Sequence, residues 1–213
     1  MLEAYKNSSI YRYSKNYIKR HIWRHYTNKF RLKLYDFPPE VWIENTNHCN
    51  ASCVMCPRES HFREKGIMNI DLYKKIIQEL SIYKKSIKRV HMHNFGEPLL
   101  DKKLPERIKI AKDYGIQHVY FVTNASLLNA NNSREIINAG LDEFKISFYG
   151  TDTKSYNSTM VHLDFNKTLE NVKTFFEIRK QMKKKNPKVI IQLIPQVIEK
   201  NDKSKWENIF NSL

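Results

Sequence analysis

Strand-like and helix-like segments alternate along most of this 213-residue chain. Five short runs rich in Val, Ile and aromatic residues are each followed by a segment whose apolar residues have helical spacing. The predicted strands cover residues 41–47, 89–94, 118–123, 143–148 and 189–194. Strands that alternate with helices pair side by side in parallel, through right-handed crossovers. The sequence therefore predicts an α/β fold with a parallel sheet of (β/α) barrel type.

The helices between these strands are predicted from capping residues and from the helical spacing of apolar residues. Asn69 can cap the first, and Gly115 can follow the end of the second. The third is a short helix around 134–139 that ends at Gly140, and the fourth and fifth cover 165–184 and 203–213. The residues expected to face inward are Tyr73, Ile76, Ile77, Leu80, Leu104, Ile108, Ala111, Leu169, Val172, Phe176, Met182, Trp206, Ile209 and Phe210.

The first 38 residues differ in composition from the rest of the chain. Residues 1–37 hold nine Lys or Arg against two acidic residues, and Pro38-Pro39 stops any helix that precedes it. We predict two domains, a basic helical N-terminal extension (1–38) and a core domain (39–213). The extension is expected to form a lid or partner surface on the core, and an arm for membrane surfaces or nucleic acid is the alternative.

The formal net charge of +15 invites a nucleic-acid interpretation. The lysines, however, are spread along predicted helices, where they mostly form a solvated face, so we do not expect a nucleic-acid partner. No apolar run approaches the ~20 residues that span a bilayer, and the first residues lack the apolar core of a secretory signal. The expected location is the cytoplasm.

All three cysteines of the chain lie in one loop after the first predicted strand. Cys49, Cys53 and Cys56 have the spacing C-x₃-C-x₂-C. An odd number of clustered thiols argues against a disulfide framework and for a reducing compartment. An ordinary electron-transfer [4Fe–4S] cluster takes four thiolates. Three thiolates suit a four-iron cluster in which one iron is open to a small molecule.

Two other interpretations of the cysteine loop stay open. A structural zinc ion needs four protein ligands, and His48 or His61 could be the fourth. Cys53 and Cys56 also form a C-x-x-C pair of the kind used in thiol redox chemistry, although Cys49 would then have no role.

Polar residues recur where the predicted strands end. Because βα loops converge at the carboxyl ends of parallel strands, these residues predict one shared pocket above the cysteine loop. They are Asn47, His48, Asn94, Gly96, Glu97, Thr123, Asn124, Ser147, Gly150, Gln192 and Gln196. The alternatives are an exposed turn acid for Glu97 and turn or capping roles for Thr123 and Asn124.

Four other polar or aromatic residues have weaker interpretations. His91 and His93 alternate with apolar neighbours on the second strand, so they share one face and either belong to the core or contact a substrate. Tyr149 and Tyr156 are expected to be packing residues.

The cysteine loop and the Gly96-Glu97-Pro98 turn after the second strand together resemble the radical S-adenosylmethionine (radical SAM) superfamily. The stretch from Ile43 to Pro57, followed by Arg58, is similar to the subgroup that often carries a C-terminal SPASM or twitch domain. The resemblance covers roughly residues 40–200 and implies a partial TIM-like barrel. Five strands are seen of an expected six, so the chain is expected to lack its C-terminal part.

The resemblance also implies cofactors and their contacts. Cys49, Cys53 and Cys56 would hold a [4Fe–4S] cluster whose open iron binds S-adenosylmethionine, and reductive cleavage would give a 5′-deoxyadenosyl radical that abstracts hydrogen from a substrate. The expected contacts of S-adenosylmethionine are Met55, Gly96, Glu97, Thr123 and Ser147. Gly96 would let the backbone approach the cofactor closely, and Glu97 would neighbour its ammonium group.

The sequence thus predicts a radical SAM enzyme that acts on an unknown small-molecule or peptide substrate. Its expected electron donor is a flavodoxin or ferredoxin. Two alternatives remain: a zinc module with a basic nucleic-acid-binding arm, and a truncated barrel that keeps the fold without turnover.

Overall fold

Five parallel strands form a single sheet in the order β1-β2-β3-β4-β5. The computed structural model describes residues 37–194 and 203–211. The strands are β1 (Glu40–Trp42), β2 (Arg89–His91), β3 (Val119–Thr123), β4 (Glu143–Ser147) and β5 (Lys188–Gln192). Each pairs with the next strand along the chain, in parallel throughout. The predicted α/β sheet is therefore confirmed, as an open, partial barrel.

Six α-helices accompany these strands in the described residues. They are α1 (Ile70–Ser81), α2 (Leu104–Asp113), α3 (Ala130–Asn138), α4 (Thr153–Thr159), α5 (Phe165–Gln181) and α6 (Lys203–Phe210). None of them combines the length and apolar character needed to cross a membrane. The fold forms one unit from Glu40 onward. The predicted extension (1–38) lies almost wholly outside the described residues and stays a prediction.

The core lies between the sheet and its helices. On the outer face of the sheet, Phe121 of β3 stacks on Phe144 of β4 with 5.7 Å between ring centroids, and Phe144 meets Phe175 of α5 edge-on at 4.9 Å. All three side chains are fully buried. Each such aromatic ring removes a large apolar area from water, which stabilises the sheet–helix contact.

Several predicted elements have different bounds in the structure. β1 ends at Trp42 rather than residue 47, because the chain then changes partner: Thr46 bridges Ile67 in antiparallel fashion. α3 begins four residues before its predicted start near residue 134, since the Asn129 side chain caps it. α4 was not predicted, although Asp152 and Ser155 form a capping box at its start.

The inward face of α5 was predicted partly wrongly. Val172 is buried as expected, but Phe175 and Ile178 are buried in place of Phe176 and Met182, which are half-buried. Leu169 is half-buried too. When apolar residues are adjacent in sequence, as Phe175 and Phe176 are, the pattern does not show which of them faces the core. Of the other residues predicted to face inward, Tyr73, Ile77, Leu80, Leu104, Ile108 and Ala111 are buried, and Ile76, Trp206, Ile209 and Phe210 are half-buried.

Candidate metal and cofactor site

The cysteine loop leaves β1 and is closed at its base by backbone hydrogen bonds. Met68 N donates to Asn45 O at 2.7 Å, and Asn47 N donates to Gly66 O at 3.3 Å. All three thiols are free and half-buried. Because the base of the loop is paired, the three thiols stay in one short segment at the carboxyl end of β1.

The middle of the loop docks on the turn between α4 and α5. Ser52 N donates to Val161 O and Val54 N donates to Thr159 O, both at 3.1 Å. Cys53 Sγ also lies 3.6 Å from Sδ of the buried Met160. These contacts fix Cys53 from both sides, and sequence reasoning missed them because it missed α4.

Cys49 and Cys53 are electrostatically unsuited to stand alone as thiolates. Burial raises the pKa of the Cys49 thiol, and burial together with the two neighbouring thiols raises the pKa of Cys53 to about 11. Thiolates that repel one another in a partly buried loop need a strongly positive partner to be stable. An iron–sulfur cluster is such a partner, so this donor set fits the cofactor implied by the sequence.

A mononuclear zinc site is not supported. Across residues 37–194 and 203–211, no group of three His, Cys, Asp or Glu side chains converges as a metal-ion site. Zinc needs all its donors around one point. The thiolates of a cluster bind different irons, so they need not converge in this way. Of the two histidines considered as a fourth ligand, His61 packs its ring on Phe95, with centroids 4.3 Å apart.

Glu97 is buried and joins two strand-end loops. Its side chain accepts hydrogen bonds from Leu99 N at 3.0 Å, Thr123 Oγ1 at 2.7 Å and Asn124 N at 2.7 Å. The residue is only 2% exposed, so the interpretation of Glu97 as an exposed turn acid is wrong. Burial raises the pKa of Glu97, and these hydrogen bonds oppose the shift.

A second set of hydrogen bonds links the cysteine loop to the loop after β3. Asn124 Nδ2 donates to Asn50 Oδ1 at 3.0 Å, and Asn50 Nδ2 donates to Ser126 Oγ at 2.8 Å. From α5, Asn171 Nδ2 donates to the carbonyl of Ser126 at 2.8 Å. Asn124 also accepts from Ser126 N, which is the turn role considered from the sequence. Asn50, Ser126 and Asn171 were missed because lone polar residues carry no spacing signal.

Gly96 is required by a close approach of two protein backbones. A Cβ at this position would lie 2.0 Å from the carbonyl oxygen of Thr46, far inside contact distance. Glu97 N also donates to His48 O at 2.8 Å. The loops after β1 and β2 are thus in contact, and this contact accounts for the glycine without a cofactor.

The predicted cofactor contacts differ in how much of their hydrogen-bonding capacity is already used. The Thr123 hydroxyl is buried, donates to Glu97 and accepts from Ala125 N at 2.9 Å. The half-buried Ser147 hydroxyl accepts from Tyr149 Oη at 3.0 Å and keeps its own proton available. Met55 is half-buried in the cysteine loop.

Two other strand-end predictions concern β5 and the aromatic residues near it. Gln192 pairs with Ser147 across β4 and β5, and Gln196 lies outside the described residues. Tyr156 is fully buried and packs on Phe148 at 4.7 Å, as predicted. Tyr149 is 8% exposed, and burial raises its pKa. Both tyrosines are thus buried, and the Tyr149 hydroxyl bonds Ser147.

The inner face of the sheet, opposite its helices, carries His91 of β2 and His93, which lies two residues beyond the end of that strand. The His91 ring stacks on Trp42 at 3.9 Å, and its Nε2 lies 2.9 Å from the Glu40 carboxylate. His93 meets Tyr120 edge-on at 5.4 Å. Its Nδ1 is buried without a hydrogen-bond partner, and burial lowers the pKa of His93 to about 4. The predicted shared face is therefore confirmed, and one imidazole on it has an unmet hydrogen bond.

Comparison with known families matches residues 43–199 to the model of the radical SAM superfamily. This match spans most of the chain and contains the three cysteines and every predicted cofactor contact. The chain belongs to the radical SAM superfamily. Proteins of this superfamily bind a [4Fe–4S] cluster and S-adenosylmethionine, which are the cofactors predicted from the sequence.

Individual relatives of this radical SAM chain are distant. A tungsten-containing aldehyde ferredoxin oxidoreductase cofactor-modifying protein from Pyrococcus furiosus is 23% identical over 72% of this chain and 43% of its own length. PqqA peptide cyclase from Bradyrhizobium diazoefficiens is 31% identical over 55% of this chain and 30% of its own length. The chain thus spans less than half the length of these relatives.

The fold has solved counterparts. Streptococcus suis SuiB bound to S-adenosylmethionine superposes with a TM-score of 0.67 at 16% identity, covering 91% of this chain and 43% of that one. At such low identity the likeness concerns the fold, which is the partial TIM-like barrel expected of a radical SAM protein.

Proposed function

We propose that this chain is a radical SAM enzyme that cleaves S-adenosylmethionine reductively and abstracts hydrogen from a substrate. The observation that carries the proposal is the set of three free thiols in one loop of a chain whose residues 43–199 match the superfamily. Cys49, Cys53 and Cys56 would ligate three irons of the cluster. When bound, the cluster and S-adenosylmethionine supply the 5′-deoxyadenosyl radical.

The other predicted contacts divide into two roles in this proposal. Ser147 would bond the ribose or carboxylate of S-adenosylmethionine, because it lies at the carboxyl end of β4 and its hydroxyl only accepts, from Tyr149, which leaves its proton for a ligand. Gly96, Glu97 and Thr123 would hold the loops that surround the cofactor, and their own contacts with it would come mainly from backbone. Met55 would pack on the adenine through its thioether.

Substrate, electron donor and location are part of the same proposal. Relatives include a peptide cyclase and a probable GTP 3′,8-cyclase from Methanococcus maripaludis, so a peptide or a small molecule fits. We place the chain in the SPASM/twitch-like subgroup. A one-electron donor such as flavodoxin or ferredoxin would reduce the cluster. Three reduced thiols suit the cytoplasm.

The test is reductive cleavage of S-adenosylmethionine by the 213-residue chain after anaerobic cluster reconstitution. We expect about four irons per chain and formation of 5′-deoxyadenosine with a strong reductant. Cys53→Ala should lose both iron and 5′-deoxyadenosine. A fully loaded wild-type cluster that forms no 5′-deoxyadenosine would favour the alternative of a barrel without turnover.

A neighbouring residue provides the matched control. Ser52 lies beside Cys53, and its backbone N–H, which an alanine keeps, donates to Val161 O in the α4–α5 turn. Ser52→Ala should therefore keep iron content and cleavage near wild-type values. Equal losses in Ser52→Ala and Cys53→Ala would point to damage of the loop rather than to loss of a ligand. One zinc and no iron per chain would favour the zinc module.

A further inference from the structure

One cation is buried within the cysteine loop. The Arg58 side chain is only 8% exposed, although the residues beside it, Pro57 and Glu59, are exposed. An arginine normally keeps its charged end in water. Burying it in a short loop is costly unless anionic or carbonyl partners surround it.

The contacts of Arg58 cross the cysteine loop. Its Nη2 donates to the carbonyl oxygen of Ala51 at 2.8 Å. Ala51 lies between Cys49 and Cys53, whereas Arg58 follows Cys56, so this hydrogen bond joins the first and last parts of the loop. Its other partner is the carboxylate of Glu59, whose side chain is 58% exposed and so lies on the water side of the guanidinium.

The bond to Ala51 places the positive charge of Arg58 against the backbone segment between Cys49 and Cys53. Arg63, the next arginine along the chain, instead pairs with Glu44 at 2.6 Å and leaves half of its side chain in water. The two arginines therefore differ in burial and in their nearest charged partners.

We propose that Arg58 is a positioning residue for the cluster, which closes the ligand loop through Ala51 and raises the reduction potential through its buried charge. The inference rests on the proposed function. A cluster held by three thiolates is anionic, and the electron delivered by the donor adds one further negative charge. A nearby buried cation stabilises the reduced form more than the oxidised form, so less driving force is needed to reduce it.

The test is the midpoint potential of the reconstituted cluster, followed by EPR during a redox titration. Arg58→Gln should lower the potential, because the charge is lost, and should release iron to a chelator roughly tenfold faster, because the loop bond is weakened. Arg58→Lys should keep most of the potential while still releasing iron faster, since an ammonium keeps the charge but lacks the planar, forked donor geometry.

Arg63→Gln is the matched control, because it removes the same charge from the exposed side of the loop. It should leave both the potential and the rate of iron release unchanged. Equal potentials in wild type and Arg58→Gln, or equal shifts in Arg58→Gln and Arg63→Gln, would overturn the role of the buried charge. Should Arg58→Gln fail to fold, Arg58→Met takes its place, because methionine keeps much of the apolar stem without the charge, and a potential equal to that of the wild type would then overturn the role of the charge.

Iron uptake by the wild-type chain and the behaviour of the Arg58 variants separate the role of Arg58 from the proposed function. A wild-type chain that takes up no iron would refute the function itself. A wild-type chain that loads a cluster, with Arg58 variants whose potential and iron release match it, would refute only the role of Arg58.

Discussion

Polar residues occupy two regions around the sheet, and the two regions use their hydrogen bonds differently. In the strand-end network (Asn50, Glu97, Thr123, Asn124 and Ser126) the side chains mainly bond one another. On the inner face, His93 keeps a buried, unpaired Nδ1 and Ser147 keeps a free hydroxyl proton. A saturated network fixes loop positions, whereas unmet hydrogen bonds are available to a ligand. Polar residues at strand ends are therefore not equivalent as candidates for ligand binding.

The largest effect is expected where the strand-end loops touch. In Gly96→Ala, the added methyl group would meet the Thr46 carbonyl, so we expect a loss of about 3 kcal/mol in the free energy of unfolding. Urea denaturation measures it. Gly66→Ala is the control, because nothing lies within 4 Å of its Cβ position, and it should change stability by less than about 0.5 kcal/mol. Equal effects of the two would contradict the close approach.

Glu97→Gln should be nearly as damaging. One carboxylate oxygen accepts from Leu99 N and Thr123 Oγ1, and the other accepts from Asn124 N. In glutamine an NH₂ group replaces one of these oxygens, so it would face a donor that it cannot accept from. We expect a loss of about 2 kcal/mol in unfolding free energy. Glu170→Gln, on the exposed side of α5, should have no measurable effect. A stable Glu97→Gln protein would show that the network does not hold the loops.

His93 should make stability depend on pH. In the folded state its pKa is about 4, and in the unfolded chain about 6.5. The unfolded state therefore binds a proton first, and stability falls as the pH drops from about 6.5 toward 4, by at most about 3 kcal/mol.

The variant His93→Gln isolates this effect. The difference in unfolding free energy between wild type and His93→Gln should change in favour of the variant as the pH falls through that window. At pH values above the window His93 is neutral in both states, so measurements there give the baseline. A difference that stays constant with pH would contradict the burial of this imidazole.

Ser147→Ala should have the smallest effect on stability and a selective effect on binding. Only the hydrogen bond from Tyr149 is lost, so unfolding free energy should fall by about 1 kcal/mol or less. Affinity of the cluster-loaded protein for S-adenosylmethionine should fall by roughly tenfold. Ser81→Ala at the end of α1 is a control, because it removes a hydroxyl that bonds Gln78 O within its own helix. Unchanged affinity in Ser147→Ala would remove this residue from the proposed site.

Sequence patterns predicted the sheet well because they reflect burial. The alternation of Val90 and Met92 with His91 and His93 predicts two faces, and the two faces are observed. The cysteine spacing predicts a ligand loop for a simpler reason, since three thiols within eight residues of one another stay close in space whatever the rest of the chain does.

The sequence did not reveal the contacts between loops. The sequence predicted a cofactor contact for Glu97, and it did not show that the Glu97 carboxylate also holds Thr123 and Asn124. Met160 and Asn171 contact the site from distant parts of the chain, and no local pattern marks such residues. Long-range hydrogen bonds depend on the relative placement of elements, which propensity and period do not encode.

The EPR spectrum of the reduced, reconstituted chain, with and without S-adenosylmethionine, tests directly whether the cluster has an iron that is open to S-adenosylmethionine. If three thiolates leave one iron open, the spectrum should be that of a reduced [4Fe–4S] cluster, and it should change when S-adenosylmethionine is added. A spectrum that S-adenosylmethionine leaves unchanged, or a protein that holds no iron, would contradict the claim.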